Sequence, residues 1–178
     1  MLVDEKNELT SFWGQYNPDN KDALFSNTVK LTNEDFTIFS DTLKYNTESK
    51  IADILGPSTI VSDSGFIVTS KGWYNTDSED ARFYDRSEIY SSDTTKVLIG
   101  DTIFYNRLSG IGDVYGNMYM EDLEQKVILR GGYGTYNEKT EYGMATDSAY
   151  VVDYAQSDSL FLHGDTLQMF TDSIYKDI

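Results

Sequence analysis

Cysteine is absent from the 178-residue chain, histidine occurs once and proline twice. Without a thiol there is no disulfide framework, no thiolate metal site and no cysteine nucleophile, so cysteine usage says nothing of redox compartment. One imidazole excludes a His-based metal cluster. Basic residues are scarce as well: 14 Lys and Arg stand against 30 Asp and Glu, a net charge of −16. A surface of that sign repels phosphate backbones and anionic membrane faces, which argues against nucleic-acid binding and peripheral membrane attachment. No apolar run approaches the roughly 18 to 20 residues needed to span a bilayer, so no transmembrane segment is expected in this chain. The start, Met1-Leu2-Val3-Asp4-Glu5-Lys6, lacks the basic and apolar regions of a secretory signal. The chain therefore reads as intracellular or as a mature fragment, and the repeat described next favours the fragment.

What is present in quantity is aromatic and apolar: 14 Tyr, 9 Phe and 39% hydrophobic residues overall, enough to bury a core within one domain spanning 1–178. The dipeptide Tyr-Asn recurs at Tyr16-Asn17, Tyr45-Asn46, Tyr74-Asn75, Tyr105-Asn106 and Tyr136-Asn137, at spacings of 29 or 31 residues. With Tyr as anchor, other columns align without gaps. Seven residues on stand Ala23, Ala52, Ala81, Gly112 and Gly143; nine on, Phe25, Ile54, Phe83, Val114 and Ala145; fifteen on, Leu31, Ile60, Ile89, Met120 and Val151. Two residues before the anchor come Gly14, Leu43, Gly72, Ile103 and Gly134, with Leu167 in a sixth, degenerate copy. Four before it are Asp41, Ser70, Asp101 and Gly132, and Gly100-Asp101-Thr102 returns as Gly164-Asp165-Thr166.

Apolar positions recur at a spacing of two inside each unit, which is strand periodicity, and no stretch sustains a period of 3.6. In the fourth copy this puts Ile99, Asp101, Ile103 and Tyr105 on one face. The polar stretch after each Tyr has hairpin composition, and Gly56-Pro57, Asp85-Arg86, Gly116-Asn117 and Asp147-Ser148 read as further turns. A unit this small cannot bury its own apolar face. Stacked, the units would lay their columns side by side in one elongated interior with strand edges free at both ends. The expected interior comprises Leu43, Tyr45, Ile54, Ile60, Tyr74, Phe83, Ile89, Ile103, Tyr105, Val114, Met118, Met120, Tyr136 and Val151, with the adaptable methionines suited to an irregular wall. The sixth copy stops at Ile178 before its second half is complete, which is the reason for expecting a cut from a longer chain.

The unit typified by Ser40-Asp41-Thr42-Leu43-Lys44-Tyr45-Asn46 leads through a polar loop to a small residue and a further strand. It resembles the OstA-like family of lipopolysaccharide transport proteins, over a stretch from about Phe12 to Phe170. Where that family often has Gly after the loop, the first three units have Ala23, Ala52 and Ala81. The resemblance implies an all-β, elongated antiparallel β-jellyroll of stacked units of about 30 residues, open at both ends. It implies a periplasmic location in a Gram-negative bacterium. Its ligand would be lipopolysaccharide, with the lipid A acyl chains shielded by the interior residues just named. Its partners would be other OstA-like domains, joined by end-to-end strand pairing. A structural or adhesive cell-surface β-solenoid with a packed interior and no lipid is the alternative.

No enzymatic constellation stands out. His163 lies in a strand-like Phe161-Leu162-His163 run with no nucleophile at motif spacing. Asp77-Ser78-Glu79-Asp80 lacks the Gly and terminal Glu of a calcium loop, and Gly131-Gly132-Tyr133-Gly134 lacks the Lys-Ser/Thr of a phosphate loop. No catalytic residue, metal or cofactor is therefore expected. Asp41, Asp101 and Asp165 recur with the unit, as fold residues do. Arg82, Arg86, Arg107 and Arg130 are expected to be surface partners of acidic groups before they are contacts to an anionic head group.

Overall fold

The computed structural model describes residues 1–137, 139–140, 142–156 and 158–170; the expected chain end at 171–178 lies outside them. The described residues form 17 strands and no helix. In chain order these are β1 (Leu2–Asp4), β2 (Asn7–Thr10), β3 (Trp13–Asn17), β4 (Asp22–Thr32), β5 (Phe36–Asn46), β6 (Ile51–Ile54), β7 (Ser58–Ser62), β8 (Gly65–Thr69) and β9 (Gly72–Asn75). There follow β10 (Ala81–Phe83), β11 (Ser87–Ser91), β12 (Lys96–Gly100), β13 (Thr102–Asn106), β14 (Ile111–Asp122), β15 (Val127–Asn137), β16 (Tyr142–Asp153) and β17 (Leu160–Phe170). Every pairing is antiparallel, as the strand periodicity and polar loops led one to expect.

The pairings separate into two ladders. The first runs β3, β4, β5, β6, β9, β10, β13, β14, β15, β16, β17. The second runs β1, β2, β4, β5, β7, β8, β11, β12, β14, β15, β16, β17. The long strands β4, β5 and β14 to β17 lend one half to each. Among the described residues, β1 and β3 at one extreme and β17 at the other pair on one side only.

Between the ladders the chain bends, and two sequence columns mark where. On the way into the first ladder the bend falls at Asp41, Ser70 and Asp101, whose flanking inward residues, Ser40 and Leu43 or Thr69 and Gly72, lie three apart. The bend thus shifts the in-out alternation by one residue. This corrects the expected common face of Ile99, Ile103 and Tyr105. Ile103 and Tyr105 point inward, while Ile99 stands opposite Glu88 and Tyr119 on the outer side and Leu98 takes the inward place, opposite Ile89 and Met120. On the way back the bend falls at Gly56-Pro57, Asp85-Arg86, Gly116-Asn117 and Asp147-Ser148, which were expected to be turns. They do not reverse the chain. In β14 and β16 the pairs adopt left-handed backbone in mid-strand, with φ of 75° and 48° at Gly116-Asn117 and 63° and 61° at Asp147-Ser148. The strand is bent without being ended, and the ladder registers slip at these points.

Buried hydroxyls pin the bend. Ser58 Oγ donates to Ser40 Oγ at 2.7 Å and Ser87 Oγ to Thr69 Oγ1 at 2.9 Å, while the same groups reach carbonyls of the bending segments at Gly56 and Asp85. At the opposite, loop-bearing margin, the Asn of each Tyr-Asn pair organises its hairpin. Asn46 Oδ1 accepts from the amides of Glu48 and Ser49, Asn75 Oδ1 from Asp77 and Ser78, and Asn137 Oδ1 from Lys139 and Thr140. Asn46 and Asn75 also donate back to carbonyls of the preceding loop, at Asn20 and Ser49. The recurrence of Tyr-Asn is therefore turn chemistry linked to lateral stacking.

Candidate functional site

The inward faces of the two ladders are made of three continuous rows. In the first ladder Tyr16, Ala23, Tyr45, Ala52, Tyr74, Ala81, Tyr105, Gly112, Tyr136, Gly143 and Met169 are successive register partners. Neighbouring strands lie about 4.8 Å apart, and the small residue between successive tyrosines leaves space beside each ring on the inward face. The next row has glycine at every fourth place among larger residues: Gly14, Phe25, Leu43, Ile54, Gly72, Phe83, Ile103, Val114, Gly134, Ala145 and Leu167. A Cβ at Gly14 would stand 2.9 Å from the Phe25 ring, and one at Gly134 would stand 2.9 Å from Met118 Cε. The second ladder supplies an aliphatic row through Leu9, Leu31, Ile38, Ile60, Ile67, Ile89, Leu98, Met120, Leu129, Val151 and Leu162.

All fourteen residues singled out from the sequence stand on these inward faces, thirteen of them on the three rows and Met118 beside the bend. Leu43, Tyr45, Ile54, Ile60, Phe83, Ile103, Val114 and Met118 are buried, and Tyr74 is 8% exposed. Ile89, Tyr105, Met120, Tyr136 and Val151 are only partly buried. Sequence reasoning missed the alternate members of the aliphatic row, Leu9, Ile38, Ile67, Leu98, Leu129 and Leu162. It also missed Phe36, Met144 and Met169 on the walls.

The interior differs along its length. At the amino-terminal end it is filled: Leu9, Leu31, Ile38, Leu43, Tyr45, Ala52 and Ile54 are each 0% exposed. A polar network closes it. Asn7 Nδ2 donates to Tyr45 Oη and Thr76 Oγ1, both at 3.1 Å, Tyr45 Oη donates to Asp4 Oδ2 at 2.8 Å, and Lys50 Nζ meets the same carboxylate at 2.8 Å. Burial pushes the Tyr45 phenol up to about 12; the Thr76 bond opposes the rise and the Asp4 bond and charge add to it. Burial pulls Lys50 down, but the hydrogen bond and charge of Asp4, with the charges of Tyr45 and Glu5, raise its pKa overall. Next to this network Phe36 of the second ladder meets Tyr74 of the first, edge to face, with centroids 4.7 Å apart.

Beyond Phe36 and Tyr74 the ladders part. A cavity of about 500 Å³ lies between them, walled by Ile60, Ile67 and Ile89 on one side and Ala81, Phe83 and Tyr105 on the other. Its rim carries Glu34, Asp35, Asp63, Glu79 and Arg107. A narrower chamber of about 160 Å³ follows, lined by Leu98, Met118, Met120, Leu129, Met144 and Met169 together with Gly112, Gly134 and Gly143. A larger, open concavity of about 870 Å³ lies around Thr28, Pro57 and Ser70 on the bend, with Val29, Phe39 and Val68 in its lining.

The outer surface takes up the arginines. Arg86 pairs with Asp101 at 3.1 Å and Arg107 with Glu79 at 3.4 Å, both exposed. Arg82 lies 3.8 Å above the Phe104 ring and Arg130 4.7 Å above Tyr119. His163 is exposed on β17, its ring 5.5 Å from that of Tyr150. Among the described residues no three His, Cys, Asp or Glu side chains come together as a metal site.

Residues 1–41, from β1 to the bend in β5, match the model of the OstA-like protein family. No curated protein sequence matches the chain. Among solved structures it is similar to LptH, the LptA homologous periplasmic component of the conserved lipopolysaccharide transport device from Pseudomonas aeruginosa. The identity is 8% and the TM-score 0.37, with 88% of this chain and 93% of that one covered. By its first 41 residues the chain resembles the OstA-like protein family.

Proposed function

We propose that the chain is a periplasmic lipopolysaccharide-binding bridge module that shields lipid A acyl chains between its two ladders during export to the outer membrane. It would act by reversible sequestration, with no bond made or broken. On this reading the two ladders are an elongated β-jellyroll of stacked units whose strand edges are open at both ends, at β1, β3 and β17, and pair there with other OstA-like domains. The observation that carries it is the parted, apolar second half of the interior, where Leu98, Met120 and Val151 remain partly exposed although they point inward. A purely structural β-solenoid would fill that space as it fills the amino-terminal third.

The test is incubation of the purified protein with lipopolysaccharide, with a photo-crosslinking residue at Met120 or Val151. Crosslinked lipid is expected, at a yield that falls little as salt is raised, because the contacts are apolar. Absence of crosslinks would refute the carrier reading. A steep loss with salt would assign the binding to the surface arginines instead.

A further inference from the structure

We infer that the acyl-chain site is blind at its amino-terminal end. Phe36 and Tyr74 form a bar across the interior, the Asp4, Asn7, Tyr45, Lys50 and Thr76 network braces it, and bound chains are confined to the cavity and chamber beyond it. The inference rests on the carrier reading and adds to it a boundary that sets how much alkyl chain the protein can hold.

Three observations meet at this boundary. Burial changes abruptly: on the aliphatic row Leu9, Leu31, Ile38 and Ile60 are buried, whereas Ile67, Ile89, Leu98 and Met120 are not fully so. The 500 Å³ cavity has Phe36 and Tyr74 as lining residues, and neither it nor the 160 Å³ chamber reaches Leu43 or Tyr45. The groups behind the bar are polar and mutually paired, with Asn7 and Thr76 at 1% and 2% exposure. An alkyl chain entering there would strip Asn7, Tyr45 and Asp4 of partners with nothing to replace them, whereas one entering the methionine-lined chamber displaces no hydrogen bond. The size is also apt, since a dry apolar cavity of about 150 Å³ accepts a benzene-sized guest. The bar holds the amino-terminal strands too: Asp4 and Asn7 belong to β1 and β2, which lean across to the hairpin of the other ladder through Tyr45, Lys50 and Thr76.

Native mass spectrometry with an homologous series of single-chain alkyl amphiphiles of one head group tests this on the full chain, without a probe in the closed core. Affinity should rise with chain length and then level off, and Phe36→Ala combined with Tyr74→Ala should move the plateau to longer chains. An unmoved plateau in that variant, shown folded by its circular dichroism, would overturn the bar. So would affinity in the wild type that climbs without levelling. Lack of binding at every length would instead remove the carrier reading, and the inference with it. Photo-crosslinking with lipopolysaccharide gives an independent reading: probes at Leu98 and Met120 should react at least tenfold more than one at Ile38, which is buried and lines neither space. Equal yields would refute the boundary while leaving the carrier reading in place.

Discussion

Replacing Tyr45 by Phe removes one oxygen from the braced end and should leave a signature that depends on pH. The Tyr45 hydroxyl accepts from Asn7 and donates to the Asp4 carboxylate. Losing it at neutral pH should cost about 2 kcal/mol, since one of the two bonds is to a charged acceptor. The phenol pKa is about 12 in the folded chain, against an ordinary value near 10. The folded state thus holds this proton more tightly, and the contribution is complete below pH 10 and lost as pH rises through 12. At pH 11 about 1.4 kcal/mol of it has gone. Urea unfolding of both proteins at pH 7 and pH 11 measures the gap between them, which should shrink from about 2 to about 0.6 kcal/mol. Other raised tyrosines, such as Tyr119 and Tyr133, titrate in both proteins and cancel. A gap that stays constant between the two pH values would refute the assignment of Tyr45 as a buried, carboxylate-bonded phenol.

Other positions give sharper yes-or-no outcomes. Gly72→Ala should destabilise by about 2–3 kcal/mol in thermal or urea unfolding, because its Cβ would sit 2.3 Å from the Arg82 carbonyl oxygen and 3.0 Å from Phe83 Cα, both backbone atoms. Gly112→Ala has only the Phe104 carbonyl oxygen at 3.7 Å and should be neutral or stabilise by up to about 1 kcal/mol. Asn75→Ala removes the acceptor for the Asp77 and Ser78 amides and should cost about 1 kcal/mol, with faster amide exchange confined to that hairpin.

The columns that could be read from sequence are those that lie a fixed distance from the Tyr-Asn pair. Tyr, the small residue seven on and the bulky residue nine on are joined by one hairpin whose length varies little, so gap-free alignment finds them, and they turn out to be register neighbours. The alternate members of the aliphatic row were lost for a matching reason. Leu31 and Ile38 are seven residues apart, as are Ile60 and Ile67, but Ile89 and Leu98 are nine apart and Val151 and Leu162 eleven. The loops on that margin differ in length, and the column dissolves. The bends misled in another way: Gly116-Asn117 and Asp147-Ser148 have turn composition because left-handed backbone asks for Gly, Asn or Asp, whether the chain reverses or only bends. The amino-terminal network was invisible, since Asn7 and Thr76 are 69 residues apart.

The small column also holds the difference between the two halves of the interior. Its members are Ala23 and Ala52 where the core is filled, Ala81 on the wall of the 500 Å³ cavity, and Gly112 and Gly143 where the narrower chamber lies; the latter two line it directly. This gives the Gly112→Ala substitution a second meaning. In a scaffold with a packed interior, a methyl added in open space can only be neutral or helpful. In a carrier it fills part of a 160 Å³ chamber, so lipid uptake should fall while stability holds or rises. The acidic surface of −16 has no part in that outcome, because the wall that changes is apolar and faces inward. Stability and lipid uptake moving in opposite directions would mark the chamber as a site; unchanged uptake would show that the space is slack in the packing and would weaken the carrier reading at its strongest point.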